Sequence, residues 1–264
     1  MNSFNSDGSG KQPGSPLSKA LRSINHLIGG FSALVYAALI ALSIRTFAYE
    51  PFNIPSGSML PTLLVGDYLF VSKYAYGYSR YSIPFGLPLF KGRLFSSPVE
   101  RGDVAVFRKP GDEEIDYIKR IVGVPGDRIQ MIDGVFHLNG EPMPRERVAD
   151  FDNIGREGYH VISPQYRESL PDGPTYMTLD TIADGPVDNT RVFLVPQGYY
   201  FAMGDNRDNS LDSRISWGIG FVPEENLVGR AEVLFFSVDG QARLWELWKW
   251  PVSIRYSRVF NGIE

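Results

Sequence analysis

Hydrophobic and polar positions divide this chain into three regimes. Residues 1–17 are Asn, Ser, Gly and Pro with almost no apolar content. Such a composition cannot repay the entropy of ordering, so residues 1–26 are expected to form a disordered tail. Leu27 to Ile44 are eighteen residues without a charge. As a helix they would extend about 27 Å and cross a bilayer core, which predicts one transmembrane helix over residues 27–47. A cleaved signal peptide is the alternative, but the run exceeds the usual apolar stretch of about 7–15 residues. No second such run follows, so residues 48–264 are expected to form one extramembrane body.

Within that body the apolar runs are short, β-branched or aromatic, and bounded by Gly, Pro or Asp, which predicts strands. They cover Tyr68–Lys73, Asp103–Phe107 and Tyr117–Val124. Ile129–Ile132 and Val135–Leu138 flank Asp133-Gly134, the signal of a two-residue type I′ hairpin. Residues 139–195 turn polar and proline-rich, with short strands at Tyr176–Leu179 and Val192–Val195, and predict an inserted subdomain over about 130–196. Tyr199–Met203 and Leu227–Val238 read as strands returning to the first sheet. The fold class is therefore mainly β. Tyr78–Pro98 reads either as a membrane-contacting loop or as a loop folded over the core. Trp245, Trp248 and Trp250 near the C-terminus suit either a bilayer interface or core packing.

Charge changes the picture in two places. Lys11, Lys19 and Arg22 precede the span and only Arg45 follows closely, so the N-terminus is expected in the cytoplasm and the body beyond the membrane. The net charge is −4, and without the first fifty residues 22 basic and 28 acidic residues leave −6, which excludes a general nucleic-acid binder. The absence of cysteine removes thiolate nucleophiles, disulfides and cysteine metal sites.

The candidate chemistry centres on Ile54-Pro55-Ser56-Gly57-Ser58-Met59-Leu60-Pro61. Two prolines stiffen this turn, and Gly57 is expected to supply a conformation that a Cβ would resist. A serine needs a base, and His26, His137 and His160 all lie away from a core strand with a recognisable partner. Lysine serves if burial makes its amine neutral. Lys119 fits, because its same-face neighbours along a strand are Tyr117 and Ile121; Lys73 remains a rival. Arg120 cannot be a base, since its guanidinium stays protonated. The acidic run from Gly204 hints at calcium, but from Asp208 the sixth position is Ser213 and the twelfth Ile219, which breaks the EF-hand pattern.

Taken in order, Pro-Ser-Gly-Ser-Met-x-Pro-Thr-Leu with Gly66-Asp67, then Arg101-Gly102-Asp103-Val104, then Asp116 to Asp127, then Gly204 to Arg214 resemble the motif boxes of bacterial type I signal peptidase. The resemblance covers about Phe52 to Arg230 and is weakest in the insertion. It implies an antiparallel β catalytic domain of the signal peptidase and self-cleaving repressor type. It further implies Ser58 as nucleophile, Lys119 as general base, and Ser56 with the Ser58 N–H as oxyanion hole. Ser210 would orient the amine, with Asp205, Asp212, Arg214 and Arg120 as supports. Phe52, Ile54, Pro55, Met59, Tyr117 and Ile118 would line small pockets selecting Ala-x-Ala type sites. No metal or cofactor is called for. The implied partners are preprotein signal peptides and the lipid bilayer, with no nucleic acid, for a monomer in the cytoplasmic membrane whose catalytic domain is extracytoplasmic. The chain departs from the pattern in a longer Ile215–Gly220 segment and in having one span where some members have two.

Three rivals stay open. A self-cleaving repressor would carry a DNA-binding segment where this chain has its span. A peptidase specialised for pilus subunits shares the motifs. An inactive membrane-anchored binding module would need only the groove.

Overall fold

The chain from Arg45 onward is ordered by antiparallel pairing of the short apolar runs. The computed structural model describes residues 16–82, 92–154, 160–239 and 248–263. It comprises two compact units, Met1–Ile44 and Arg45–Glu264.

The helix α1 runs from Pro16 to Phe47. It starts well before the expected boundary at residue 27, so residues 16–26 are helical rather than part of a disordered tail. Pro16 suits a first helical position, and Leu17, Lys19, Ala20, Leu21 and Arg22 are good helix formers. Its segment Gly30–Phe47 is long and apolar enough to cross a membrane and almost entirely unburied, which fits a single-pass anchor.

In the second unit a seven-stranded sheet has the order β1 (Tyr49–Asn53), β2 (Asp67–Ser72), β16 (Leu227–Ser237), β3 (Val104–Lys109), β4 (Asp112–Gly123), β14 (Tyr199–Met203) and β15 (Val222–Pro223). The late strands β14 and β16 thus return to the early sheet, as their apolar composition predicts. Two features differ from the expectation. Pro51 hides β1 from a propensity reading, yet β1 lies at the sheet edge, where a missing N–H is tolerated. Strand β4 begins five residues early, because its acidic start Asp112–Asp116 folds back on Arg108 and Lys109 of β3.

Between β4 and β14 the chain builds three small sheets. One holds β13 (Phe193–Leu194), β5 (Arg128–Ile132), β6 (Val135–Leu138) and β7 (Glu141–Pro142); another holds β12 (Thr175–Leu179), β11 (Gln165–Ser169) and β8 (Arg145–Arg147). The third is the pair β9 (Phe151–Ile154) and β10 (His160–Ser163). The β5–β6 turn is the expected hairpin: Ile132 faces Val135, and Asp133 and Gly134 adopt φ of 48° and 73°. This stretch is part of the same compact unit as the large sheet.

The alternation along β4 sends Tyr117 and Ile121 to one apolar cluster, with Phe107 and Tyr200, and Ile118 to another with Ile54, Met59 and Leu69. Fully burying side chains such as Phe107 and Leu69 contributes about 1.5–3 kcal/mol each. Of Tyr78–Pro98, residues 83–91 lie outside the described residues. On either side, Tyr81 is buried in the core, whereas Phe95 is 84% exposed. Trp245 also lies outside the described residues; Trp248 is exposed rather than packed in the core, and Trp250 meets Phe236 at 6.1 Å between ring centroids.

Candidate active site

Ser58 sits in the turn between β1 and β2, held by a residue of the segment that follows β14. Asn206 donates its side-chain amide to Gly57 O at 2.9 Å and its backbone N–H to Ser58 O at 3.1 Å. Gly57 does not use the left-handed region expected for it. Its constraint is space, since a Cβ there would stand 3.0 Å from Leu60 Cδ1. Beside this turn Gly204 tolerates no side chain, since a Cβ there would lie 2.5 Å from Ser58 O and would also strike the Ser210 hydroxyl. Gly204→Ala is expected to push the loop away from the turn and lower the melting temperature by several degrees, as read by thermal unfolding.

Lys119 projects from β4 toward this turn and is 3% exposed. Its Nζ donates to Ser58 Oγ at 2.6 Å and to Ile118 O at 3.0 Å. Burial lowers the amine from its ordinary value near 10.5 to about 8, against the opposing pull of Asp212 and Asp205. Ser56 Oγ lies 3.5 Å from Ser58 Oγ.

The rival Lys73 is also buried, but it is engaged elsewhere: its Nζ pairs with Glu50 Oε2 at 2.7 Å and donates to Ser82 O at 2.9 Å. His137 bonds Val135 O within its own strand and the exposed His160 bonds Asp152. Neither is among the residues lining the groove that holds Ser58.

That groove has a volume of about 540 Å³. It joins Ser56, Ser58 and Lys119 to Pro55, Tyr117 and Ile118 of the expected pocket residues. Ile54 and Met59 lie instead in the core cluster, with Phe52 packed against it. Sequence reasoning missed Ile115 and the wall formed by Leu211 and Ile215. The only hint of that wall was the longer Ile215–Gly220 segment, which folds into a tight turn with the N–H groups of Gly218, Ile219 and Gly220 all directed at Ile215 O.

The supporting charges lie behind Lys119. Arg120, wholly buried, grips Asp205 through Nε at 2.9 Å and Nη2 at 2.8 Å, and Thr62 donates to the same carboxylate at 2.6 Å. Asp212 receives Arg214 Nε at 2.9 Å and the Gly204 N–H at 3.0 Å. Ser210 is buried on the same wall, but its hydroxyl makes no well-formed hydrogen bond among the described residues and none to Nζ. The lysine-orienting contact implied for Ser210 is therefore not made in this structure.

Among the described residues one acidic group could hold a metal ion: carboxylate oxygens of Asp180, Asp188 and Asp208 lie within 4.8 Å of one another. Arg145 already pairs with Asp180, and Asp208 accepts the Thr181 and Ile182 N–H groups.

A hydroxyl in contact with a buried amine of lowered proton affinity, on the floor of an open groove in an antiparallel sheet, has the makings of a hydrolase that attacks carbonyl carbon through serine. Residues 27–236 match the family described as Signal peptidase, peptidase S26. Signal peptidase I of Rickettsia typhi is 42% identical over 252 residues, covering 88% of this chain and 92% of that protein. The Rickettsia prowazekii enzyme is 41% identical over the same shares. A crystal structure of a signal peptidase I from Enterococcus faecalis is 24% identical, covering 51% of this chain and 97% of that one, with a TM-score of 0.30. The chain belongs to the signal peptidase I family and is a peptidase.

Proposed function

We propose that this protein is a membrane-anchored endopeptidase that removes signal peptides from exported preproteins through a Ser58/Lys119 dyad. The observation that carries this reading is the 2.6 Å contact between Lys119 Nζ and Ser58 Oγ at the floor of the groove. With the amine neutral the contact reverses, and the hydroxyl donates to the nitrogen lone pair. Ser58 Oγ then attacks the scissile carbonyl carbon while its proton passes to Nζ. Ser56 Oγ–H and the Ser58 N–H stabilise the oxyanion. Collapse breaks the C–N bond, and the ammonium returns its proton to the leaving amine. A water next gives a proton to Nζ and attacks the ester, after which the proton returns to Ser58 Oγ.

Substrate enters as an added strand. Strand β4 pairs with β3 along one edge, but β14 covers the other only from Arg120 onward. Ile115–Lys119 therefore offer an open edge facing the groove, suited to main-chain pairing with alternate side chains held in pockets. Pro55, Tyr117 and Ile118, with Ile54 and Met59 beneath, favour small residues one and three positions before the cut, as in Ala-x-Ala sites. Phe52 packs against that floor. Asp205, Asp212, Arg214, Arg120 and Ser210 support the dyad from behind. Residues 27–47 anchor a monomer in the cytoplasmic membrane, with the N-terminus cytoplasmic and the body from residue 48, including the 130–196 insertion, on the other side.

The test is the pH dependence of kcat/KM on a preprotein in detergent micelles. Because the neutral amine is the active form, activity should rise through a limb near pH 8, the value to which burial lowers Lys119, and fall about tenfold per unit below it. Full activity at pH 5 would exclude a lysine base.

A further inference from the structure

Three buried arginines and three buried carboxylates cluster near Lys119, and two of the six come from outside the segment after β14. Arg120 lies on β4, and Asp205, Arg207, Asp212 and Arg214 lie in the segment after β14; the sixth, Glu168, lies on β11 in the inserted stretch. Glu168 is wholly buried. Arg207 donates to its two oxygens from Nη1 at 3.0 Å and Nη2 at 2.5 Å. The Tyr176 hydroxyl of β12 donates a further short hydrogen bond to Glu168. The ring of that tyrosine carries Arg120, whose guanidinium carbon stands 4.1 Å from its centroid.

The contacts form a continuous series from the insertion to Asp205, and the last step to Lys119 is electrostatic. Glu168 holds Arg207; Tyr176 touches Glu168 and Arg120; Arg120 holds Asp205; Asp205 and Asp212 are the anions that act on the amine. Arg207 also acts electrostatically on Asp205 and Arg120. The backbone is stitched at the same place, where Leu179 N donates to Asp205 O at 2.8 Å. Such a cluster is stable only when its charges balance, because an ion without its partner in the interior costs several kcal/mol. With six members of alternating sign the net charge is zero. The other charged groups on the packed elements are Asp116, paired with Arg108; Asp180, paired with Arg145; Asp208, which accepts backbone N–H groups; and Asp188, which accepts the Gly185 N–H; of these, Arg145 also acts on Glu168, and Asp188 feels Arg214 of the cluster. Tyr117, with its ring 5.4 Å from Nζ, adds no charge.

We propose that Glu168 is a positioning residue for hydrolysis: the β11–β12 hairpin supplies the carboxylate that brings the buried cluster to neutrality, and so sets how readily Lys119 gives up its proton. The proposal rests on Lys119 as the base. If Glu168 loses its charge, the field of Arg207 reaches Asp205 and the amine pocket uncompensated and favours neutral Lys119. Loss of the Arg207 charge leaves the cluster negative and favours the ammonium. The two changes therefore move the acid limb of the pH profile in opposite directions, which simple loss of packing does not do.

The experiment is the pH dependence of kcat/KM for the full-length enzyme in detergent micelles on one preprotein, with thermal unfolding of each variant as a check on folding. Glu168→Gln should lower the limb by about half a unit to one unit, and Arg207→Gln should raise it by a similar amount. The double variant, neutral again, should return the limb to within about 0.3 units of wild type on the same scale. Tyr176→Phe, which removes a hydrogen bond but no charge, should leave the limb in place. Limbs that stay put, or move the same way, in both folded single variants would overturn the proposal. If neither single variant folds, the double variant decides, and a limb displaced by more than about half a unit refutes the charge-balance role. A wild-type profile with no acid limb, or full activity in Lys119→Ala, would instead remove the base assignment itself.

Discussion

Ser58→Ala and Lys119→Ala are each expected to reduce preprotein cleavage by about 10⁴-fold or more, because under the proposed dyad the one removes the nucleophile and the other the amine in contact with it. The double variant should be hardly worse than the singles, since groups that act as one unit are not additive. Stability separates this loss from misfolding. In the folded protein Lys119 releases its proton near pH 8, against 10.5 for an ordinary lysine. The unfolded chain thus binds more protons between these values, and stability rises with pH across that window. Below pH 8 the buried amine costs the fold roughly 3 kcal/mol. Lys119→Met should therefore be inactive yet at least as stable as wild type at pH 7, as read by thermal unfolding. Near-normal cleavage by any of these variants would dismiss the dyad.

Asp205→Ala carries the second large effect, and it falls on the fold. The carboxylate receives two hydrogen bonds from Arg120 and one from Thr62, and both Asp205 and Arg120 are essentially without solvent contact. Deleting it leaves a buried guanidinium without its carboxylate, a loss of about 3–5 kcal/mol. In a body of this size that corresponds to a drop of roughly 6–20 °C in Tm. Asp205→Asn keeps the shape and should lose less. The ion pair itself is weak evidence of net stabilisation, since a well-packed apolar pair would serve as well energetically; what it holds is the register of the Gly204–Arg214 segment against β4. Unchanged unfolding of Asp205→Ala would show that Arg120 finds equal compensation elsewhere.

Much of the site is legible in the amino-acid sequence because its signals are local. A serine between two prolines, a lysine in an apolar strand and an asparagine-rich loop each declare themselves within a dozen residues. Distances between them do not. Lys73 and Lys119 are both buried lysines, and only the fold gives Glu50 to one and Ser58 to the other. The groove wall of Leu211 and Ile215 escapes a sequence reading because two apolar residues in a polar loop have no periodicity to mark them. Glu168 escapes for a related reason. In the alternating polar run of β11 a glutamate reads as solvated, and its burial depends on Arg207, thirty-nine residues away.

By itself the chain determined the local things: an apolar span, strands of period two, a hairpin turn at Asp133-Gly134, and the residue types able to attack and to take a proton. Tertiary structure decided which of these meet. Charge pairing and burial act through space, so Asn206 locking the Ser58 turn, the charges of Asp205 and Asp212 acting on Lys119, and Glu168 gripping Arg207 arise only when segments far apart in sequence pack together. Desolvation is likewise a property of the packed interior, and it is the dominant influence that brings the Lys119 amine down to about 8.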